Sequence, residues 1–388
     1  MVGEPVHVRM GSPPPVPVRI LFLASLAESL VNFRKPLIKA CSERGCDIYA
    51  MAPKADPVTL QELDCLGVSF EAIRLSRTGN DPIEDIRLYR DLKQRIRRIS
   101  PDTILAYTIK PVIYGALAAR ACHVKNVYAL VTGVGYLFQK TNWKGRMMNV
   151  IIRPMYRRAL DECKGVFFQN RDNLSLFVKE EILRDPGKAV LVNGSGVDLN
   201  HFSFAPPFLK PVTFLLIARM LYDKGITEFV EAARILKPSY PEARFRILGP
   251  VDSNPAAIPL RKLEEWHGEG VIEYLPETRD VRPFLAETSV YVLPSYHEGI
   301  PRTVLEAMAM GRPVVTTDAP GCRETIIDGE SGYLVPVRNA PLLAEAMERF
   351  LKDPARISLM GEAARRRAET TFDVEEVNRV LLSHMGIE

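Results

Sequence analysis

The stretch VYVLPSYHEGIPRTVLEAMAMGRPVVTTD, residues 290–318, decides the fold. It begins with the apolar run 290–295, continues with apolar residues at helical spacing, and ends in a second apolar run, 313–318. Gly311 stands where the helix should stop, because glycine readily adopts the left-handed conformation that ends helices. A strand, a helix and a strand in this order predict parallel strands covered by helices.

The same alternation continues on both sides of a break in the chain. In the first half, the apolar runs that predict strands are 18–24, 46–53, the end of 60–73, 102–107, 127–133 and 165–170. In the second half, the other runs are 212–220, 243–250, 271–276 and 332–336. Residues 192–208, rich in Gly, Asn, Asp and Pro, are predicted to form a hinge. The expected fold class is therefore α/β, with two Rossmann-like parallel-sheet domains facing a central cleft.

The predicted organisation has four parts. Residues 1–18 form a proline-rich extended tail, residues 19–203 and 204–370 form the two domains, and residues 371–388 form a helix that packs back on the first domain. The tail has no apolar stretch of signal-peptide length. The six cysteines show neither C-x-x-C nor zinc-site spacing, so we expect reduced thiols in the cytosol.

Charge is distributed unevenly along the 388 residues, whose net charge is +4. Residues 1–195 contain 29 lysines and arginines against 19 aspartates and glutamates, whereas residues 196–388 contain 22 against 28. A basic first half favours an anionic ligand or a membrane surface. Ordinary scatter of charge is the alternative.

The loop before the predicted helix has features of an anion site. Pro301 is expected at the first helical position, so the amides of Arg302, Thr303 and Val304 should lack intrahelical partners. Such amides attract phosphates. Gly299 has no Cβ and should allow a ligand to approach the backbone closely.

Charged residues accompany this loop. Glu298 and Glu306 could accept hydrogen bonds from sugar hydroxyls; alternatively, Glu298 caps the helix and Glu306 is an exposed acid. Arg219 and Lys224 follow the strand 212–220 and could neutralise a departing nucleoside diphosphate without a metal, although each could also be a solvated loop charge. The chain has no Asp-x-Asp, the usual carboxylate pair for a nucleotide-bound cation.

Four motifs carry a family resemblance. The R-x4-K-G motif (219–225), the E-x7-E motif (298–306), GRPVVTTD (311–318) and residues 321–335 resemble the retaining glycosyltransferases of family four, which have the GT-B fold. The resemblance implies that Glu298 contacts the donor sugar and that Arg219 and Lys224 stabilise the leaving diphosphate. These three are the expected catalytic residues. The implied donor-binding residues, with Glu306 on the ribose, are Glu306, Gly299, Ile300, Pro301, Thr303, Val304, Pro250 and Glu277.

The first half narrows the resemblance. The stretches 22–40, 75–82, 109–120, 132–138 and 194–202 are similar to bacterial enzymes that extend a sugar linked to undecaprenyl diphosphate. This implies transfer of a hexose or N-acetylhexosamine, with N-acetylgalactosamine favoured, from a UDP-sugar to a polyprenyl-diphosphate-linked saccharide in glycan, O-antigen or capsule assembly. The resemblance also implies retention at the anomeric carbon, with no metal or other cofactor.

The acceptor side is expected in the first domain. The candidates for acceptor binding are Asn32, Arg34, Arg77, Lys110, Gly133 and Gly135. Family members commonly carry a histidine where this chain has Ile109, so no histidine base is expected there. A front-face mechanism, in which the leaving phosphate takes the acceptor proton, needs no such base. His297 beside Glu298 is interpreted as a loop residue lining the pocket, with acid–base catalysis as the alternative.

Residues 140–158 mix Trp143 and aliphatic side chains with lysines and arginines, a pattern typical of a segment lying on an anionic bilayer. The alternative is a helix packed on its own sheet and interrupted by Pro154. We expect a cytoplasmic enzyme peripheral to the inner membrane face, with no nucleic-acid partner. Two rival functions remain open: a nonhydrolysing UDP-sugar 2-epimerase and a non-catalytic nucleotide-sugar-binding scaffold subunit.

Overall fold

A computed structural model describes residues 17–76, 81–133, 143–252, 254 and 256–388. The described residues form two parallel sheets, one of seven strands and one of six, each covered by helices. This confirms the predicted α/β fold class. Arg77, Gly135 and most of the predicted tail lie outside the described residues, as do residues 140–142 of the predicted membrane segment.

The first sheet has the strand order β3-β2-β1-β4-β5-β6-β7. Its strands are β1 (Arg19–Leu23), β2 (Asp47–Ala52), β3 (Ser69–Ala72), β4 (Thr103–Tyr107), β5 (Asn126–Val131), β6 (Gly165–Phe168) and β7 (Ala189–Leu191). The connecting helices are α1 (Glu28–Glu43), α2 (Pro57–Cys65), α3 (Pro82–Ile99), α4 (Ile109–Ala121), α5 (Trp143–Asp161) and α6 (Arg171–Lys179). All pairings between neighbouring strands are parallel.

The second sheet has the order β10-β9-β8-β11-β12-β13. Its strands are β8 (Thr213–Ile217), β9 (Arg244–Leu248), β10 (Glu273–Leu275), β11 (Val290–Leu293), β12 (Val314–Thr317) and β13 (Gly332–Val335). The helices that follow are α7 (Ile226–Leu236), α8 (Leu260–Gly268), α9 (Arg282–Ala286), α10 (Arg302–Ala309), α11 (Ala340–Lys352), α12 (Ala355–Thr371) and α13 (Val374–Met385).

Burial on both faces explains why the strands are apolar runs. Every residue of β4 is buried, as is every residue of β8 and β11. In the first domain, α3, α4 and α5 pack on one face of the sheet, and α1 with α13 packs on the other. Each sheet therefore has the two covered faces that a parallel arrangement requires.

The chain passes between the domains twice. The first passage follows β7, and the second follows α12, where Val197 and Asp373 form a parallel bridge. The Val197 amide donates to the Phe372 carbonyl at 2.8 Å, and the Val374 amide donates to the Val197 carbonyl at 3.1 Å. Helix α13 then packs against α1, and Tyr128 donates to the His384 carbonyl at 2.8 Å. The last helix of the chain thus belongs to the core of the first domain.

Strand order reverses direction once in each sheet, between β1 and β4 in the first and between β8 and β11 in the second. At such a point the loops leaving the two strands diverge to opposite faces, which opens a crevice at the carboxyl edge. Ligands of open α/β sheets bind in this crevice. Each domain therefore offers one crevice at its own reversal point.

Candidate active site

The crevice of the second sheet is lined by the loops after β8 and β11. The first loop forms a 3₁₀ turn at Tyr222–Lys224 and continues into α7 through Gly225. Gly225 has a φ of +70°, and a Cβ there would collide with the Pro294 carbonyl of the other loop. Glycine therefore allows the two loops to lie in direct contact.

This contact brings Lys224 and Glu298 together. The Lys224 Nζ lies 2.5 Å from the Glu298 Oε1, and the two side chains are only 15% and 17% exposed. Opposite charges at this distance interact more strongly where water is largely excluded. Two of the three residues predicted to be catalytic therefore form one ion pair.

Glu306 is neither open to solvent nor isolated. It lies in α10, where its carboxylate is 2.7 Å from the Arg302 Nε and its side chain is 9% exposed. Burial raises the pKa of Glu306, and the Arg302 guanidinium opposes this shift. The guanidinium also lies over the ring of Phe33 in the first domain, 5.6 Å from its centroid. The alternative interpretation of Glu306 as an exposed acid is therefore wrong.

The start of α10 corrects two details of the anion-site prediction. Pro301 is the residue before the helix, and no side chain caps this end, so Glu298 is not its cap. The Val304 amide donates to the Pro301 carbonyl at 3.1 Å, so the prediction that this amide lacks a partner is wrong. A tight first turn of 3₁₀ type satisfies it locally. The Thr303 hydroxyl accepts from Tyr291 at 2.7 Å, and Ile300 lies against Gly194.

The remaining donor-side residues surround the same sheet edge. The Arg219 guanidinium is about half exposed and forms an ion pair with the Asp252 carboxylate at 2.7 Å. Pro250 follows β9, and its carbonyl accepts from the Met220 amide at 3.0 Å. Glu277 follows β10 and is exposed.

The first domain contacts the Glu298 loop directly. A Cβ on Gly299 would collide with the Gln169 Oε1 and with the Thr132 carbonyl, so contact with the first domain requires glycine at this position. The Asn170 Nδ2 donates to the Gly299 carbonyl at 2.7 Å and to the Glu298 carbonyl at 3.2 Å. Sequence reasoning missed Asn170. Its signal was a polar residue directly after a buried strand, at the carboxyl edge of the first sheet.

His297 also faces the first domain. Its Nε2 lies 3.1 Å from the Asn173 Oδ1, and burial is the main cause that lowers the pKa of His297 below its usual value. The imidazole is therefore neutral near pH 7. With Nε2 as the donor to Asn173, this nitrogen carries the proton.

Arg34 is the most deeply buried of the predicted acceptor residues described. It is 2% exposed, its guanidinium lies 5.2 Å from the Tyr107 ring centroid, and its Nε has no hydrogen-bond partner among the described residues. Burial lowers the pKa of Arg34 to about 10. A buried guanidinium of this kind is costly unless an anion accompanies it.

The other predicted acceptor residues are more dispersed. Asn32 is exposed on α1, and Gly133 follows β5. The Lys110 Nζ lies 2.7 Å from Asp85 on α3, so this charge is already balanced by a carboxylate. Ile109 is the first residue of α4 and packs against the core.

Helix α5 contains the described part of the predicted membrane segment and continues through Pro154 without a break. Val150 and Ile151 on this helix are 72% and 63% exposed. Within the described residues, no helix has both the length and the apolar character needed to cross a bilayer.

Comparisons with known proteins agree with this geometry. Residues 19–170 match the family described as "Glycosyl transferase 4-like", and residues 211–353 match "Glycosyl transferases group 1". The two matches fall on the two domains, so the chain is a glycosyltransferase whose first domain is of the 4-like family and whose second is of group 1. The family assignment and the GT-B fold predicted from the sequence are both confirmed.

Individual relatives span nearly the whole chain. The N,N'-diacetylbacillosaminyl-diphospho-undecaprenol alpha-1,3-N-acetylgalactosaminyltransferase of Campylobacter jejuni is 29% identical over 89% of this chain and 93% of its own. The putative glycosyltransferase EpsD of Bacillus subtilis is 24% identical over 95% and 98%.

Solved structures share the fold at low identity. Anabaena HepE in complex with UDP has a TM-score of 0.75 and 17% identity, covering 95% of this chain and all of its own. The sucrose-phosphate synthase of Thermosynechococcus elongatus has a TM-score of 0.78 and 18% identity, covering 94% and 98%.

Proposed function

We propose that this glycosyltransferase moves a hexose or N-acetylhexosamine from a UDP-sugar to a saccharide on undecaprenyl diphosphate, with retention at the anomeric carbon. N-acetylgalactosamine is the favoured sugar. The Campylobacter relative supports this choice by its name and by similarity along nearly the full chain. HepE, which shares the fold, was crystallised with UDP and supports the choice of nucleotide.

The observation that carries the proposal is the Lys224–Glu298 ion pair at the strand-order reversal of the second sheet. In the proposed complex, Lys224 stabilises the diphosphate as it leaves, and Glu298 contacts the donor sugar. Glu306 accepts hydrogen bonds from the ribose hydroxyls. Arg219 adds positive charge to the diphosphate once it turns from Asp252.

We propose a front-face transfer step. The bond between the anomeric carbon and the diphosphate oxygen breaks, and the acceptor hydroxyl oxygen forms a new bond to that carbon on the same face. The leaving phosphate oxygen takes the hydroxyl proton. No protein base is required, which is compatible with isoleucine at position 109. Positive charge from Lys224 and Arg219 lowers the barrier without a metal.

The acceptor is proposed to bind in the first domain. Arg34, a buried guanidinium without a carboxylate partner among the described residues, is suited to a phosphate of the lipid diphosphate. Asn32 and Gly133 are the nearby polar and backbone candidates. The exposed Val150 and Ile151 on basic α5 support a position on the inner face of the cytoplasmic membrane.

The test is a panel of UDP-sugars offered with short-chain diphosphate-linked saccharide acceptors, read by mass spectrometry, with the anomeric configuration read by NMR. We expect one extended lipid-linked product with an α linkage from an α-linked donor. If a UDP-sugar is converted in the absence of acceptor, the protein is an epimerase rather than a transferase. Tight UDP binding without any product across the panel would indicate a scaffold subunit.

A further inference from the structure

We propose that Asn170 is a positioning residue that seats the first domain against the loop carrying Glu298, and that efficient sugar transfer depends on this contact. The inference rests on the proposed function, because that function places Glu298 at the donor sugar. It assigns a role to a residue of the acceptor domain that the sequence motifs do not include.

All hydrogen-bonding groups of the Asn170 amide are used. Its Oδ1 accepts from the Asn173 amide at 2.8 Å and so caps α6. Its Nδ2 donates across the domain boundary to the carbonyls of Gly299 and Glu298. The residue is 2% exposed, so water does not readily replace these bonds. One side chain therefore links the end of β6 to the peptide that follows Glu298.

Neighbouring residues of α6 strengthen the same junction. Asn173 lies 3.1 Å from His297, and the Asp172 carboxylate lies 2.7 Å from the Arg323 guanidinium. The cap and first turn of α6 thus contact the second domain through three side chains, those of Asn170, Asp172 and Asn173. A junction of this kind fixes the orientation of the two domains as well as their separation.

The Glu298 loop is already held within its own domain. The Glu298 amide donates to the Pro320 carbonyl at 2.9 Å, and the Glu298 carboxylate forms the ion pair with Lys224. Asn170 is therefore not needed to shape the loop; it determines where the first domain lies relative to it. Loss of its donors should slow transfer to the acceptor and leave nucleotide binding, which depends on the second domain, almost unchanged.

The test variant is Asn170→Asp, which keeps the shape and the α6 cap but turns a carboxylate oxygen towards the two carbonyls. We expect kcat to fall about tenfold or more, since two hydrogen bonds are replaced by repulsion. The UDP dissociation constant should change less than about twofold. Small-angle X-ray scattering with UDP should give a larger radius of gyration than for the wild type. The matched control is Asn339→Asp, at the cap of α11 through the Leu342 amide, where all three quantities should stay at wild-type values.

Wild-type turnover in Asn170→Asp would overturn the inference, as would a loss of UDP affinity equal to the loss of kcat. If the aspartate variant does not fold, Asn170→Ser, which also retains a cap, gives the same comparison. The scattering measurement requires no turnover. It therefore tests the junction even if the wild type transfers none of the sugars offered, an outcome that would count against the proposed function alone.

Discussion

Lys224 and Glu298 are 74 positions apart in the chain, yet their charged groups lie 2.5 Å from each other. They meet because β8 and β11 are adjacent in the sheet although β9 and β10 separate them in sequence. The reversal of strand order thus creates the pair. Neither residue can be removed without leaving a charge that is largely shielded from water.

Because the two side chains act together, their removal should not be additive. We expect Lys224→Ala or Glu298→Gln to lower kcat about 10²- to 10³-fold, as for loss of a group that stabilises developing charge. The double variant should be no slower than the slower single variant. Mass spectrometry of the lipid-linked product gives the rates.

Lys352→Ala is the matched control for this experiment, because Lys352 forms a surface pair with Glu348 at 2.8 Å on α11. Its activity should equal that of the wild type. If the fold losses in kcat of the two single variants multiply in the double variant, Lys224 and Glu298 act independently.

The variant Arg34→Met should weaken acceptor binding without lowering the thermal stability of the protein. Arg34 is a buried guanidinium without a carboxylate partner in the part of the chain that the structure describes, so it should contribute little to folding, and the midpoint of thermal unfolding should stay the same or rise. The acceptor KM should increase about tenfold while the donor KM is unchanged, since a charge-assisted contact to phosphate is lost. Arg44→Met, at the exposed end of the same helix, is the control. An unaltered acceptor KM would remove Arg34 from the acceptor site.

His297 should make the protein sensitive to acid. Its folded pKa is lowered, so below about pH 6.5 the unfolded chain takes up a proton that the folded protein resists. The free energy of unfolding of the wild type should therefore decrease as the pH falls from 7 towards 5.5. His297→Gln, which keeps a donor for Asn173, should show a smaller decrease in urea titrations at the two pH values. Equal decreases would contradict this account.

Chelation tests the proposed independence from metals. Activity should be the same before and after dialysis against EDTA, because Lys224 and Arg219 are proposed to supply the positive charge at the diphosphate. The measurement is the initial rate of lipid product formation. A loss that Mg²⁺ or Mn²⁺ restores would require a different account of leaving-group stabilisation.

Membrane contact through α5 can be tested with vesicles. Changing Val150 and Ile151 to glutamate should weaken binding to vesicles containing phosphatidylglycerol, since two exposed apolar groups become charges that anionic lipid repels. Sedimentation with the vesicles measures the bound fraction. Leu359→Glu, at a 67% exposed position of α12, should bind like the wild type. Equal binding of all three proteins would place the membrane contact elsewhere.

The fold was predictable because burial on both faces makes nearly every strand an apolar run. Strand β7 (Ala189–Leu191), three residues at the sheet edge directly before the predicted hinge, was not predicted. The sequence predicted Lys224 and Glu298 at one sheet edge because both follow apolar strands of one domain, but it did not predict their ion pair. Their roles in transfer stay predictions.

Other features of the site depend on contacts that local sequence does not encode. The partner of the Val304 amide is set by the tight first turn of α10, which the proline alone did not reveal. Gly299 was predicted to admit a ligand, and this stays a prediction; the sequence did not reveal that Thr132 and Gln169 of the other domain also require a residue without a Cβ there. Asn170 was missed for the same reason, because its acceptors are 128 and 129 positions away.

The chain crosses between the domains twice, and the two crossings are joined at Val197 and Asp373. This arrangement should limit how the domains rotate relative to each other. A single crossing segment would permit twisting in any direction, whereas two crossing segments joined side by side act as a hinge. We expect movement of the two domains to be mainly rotation about an axis near this bridge. Rotation about this axis would carry the amide of Asn170 towards or away from the carbonyls of Glu298 and Gly299, so the contact that Asn170 makes is placed where the domains meet.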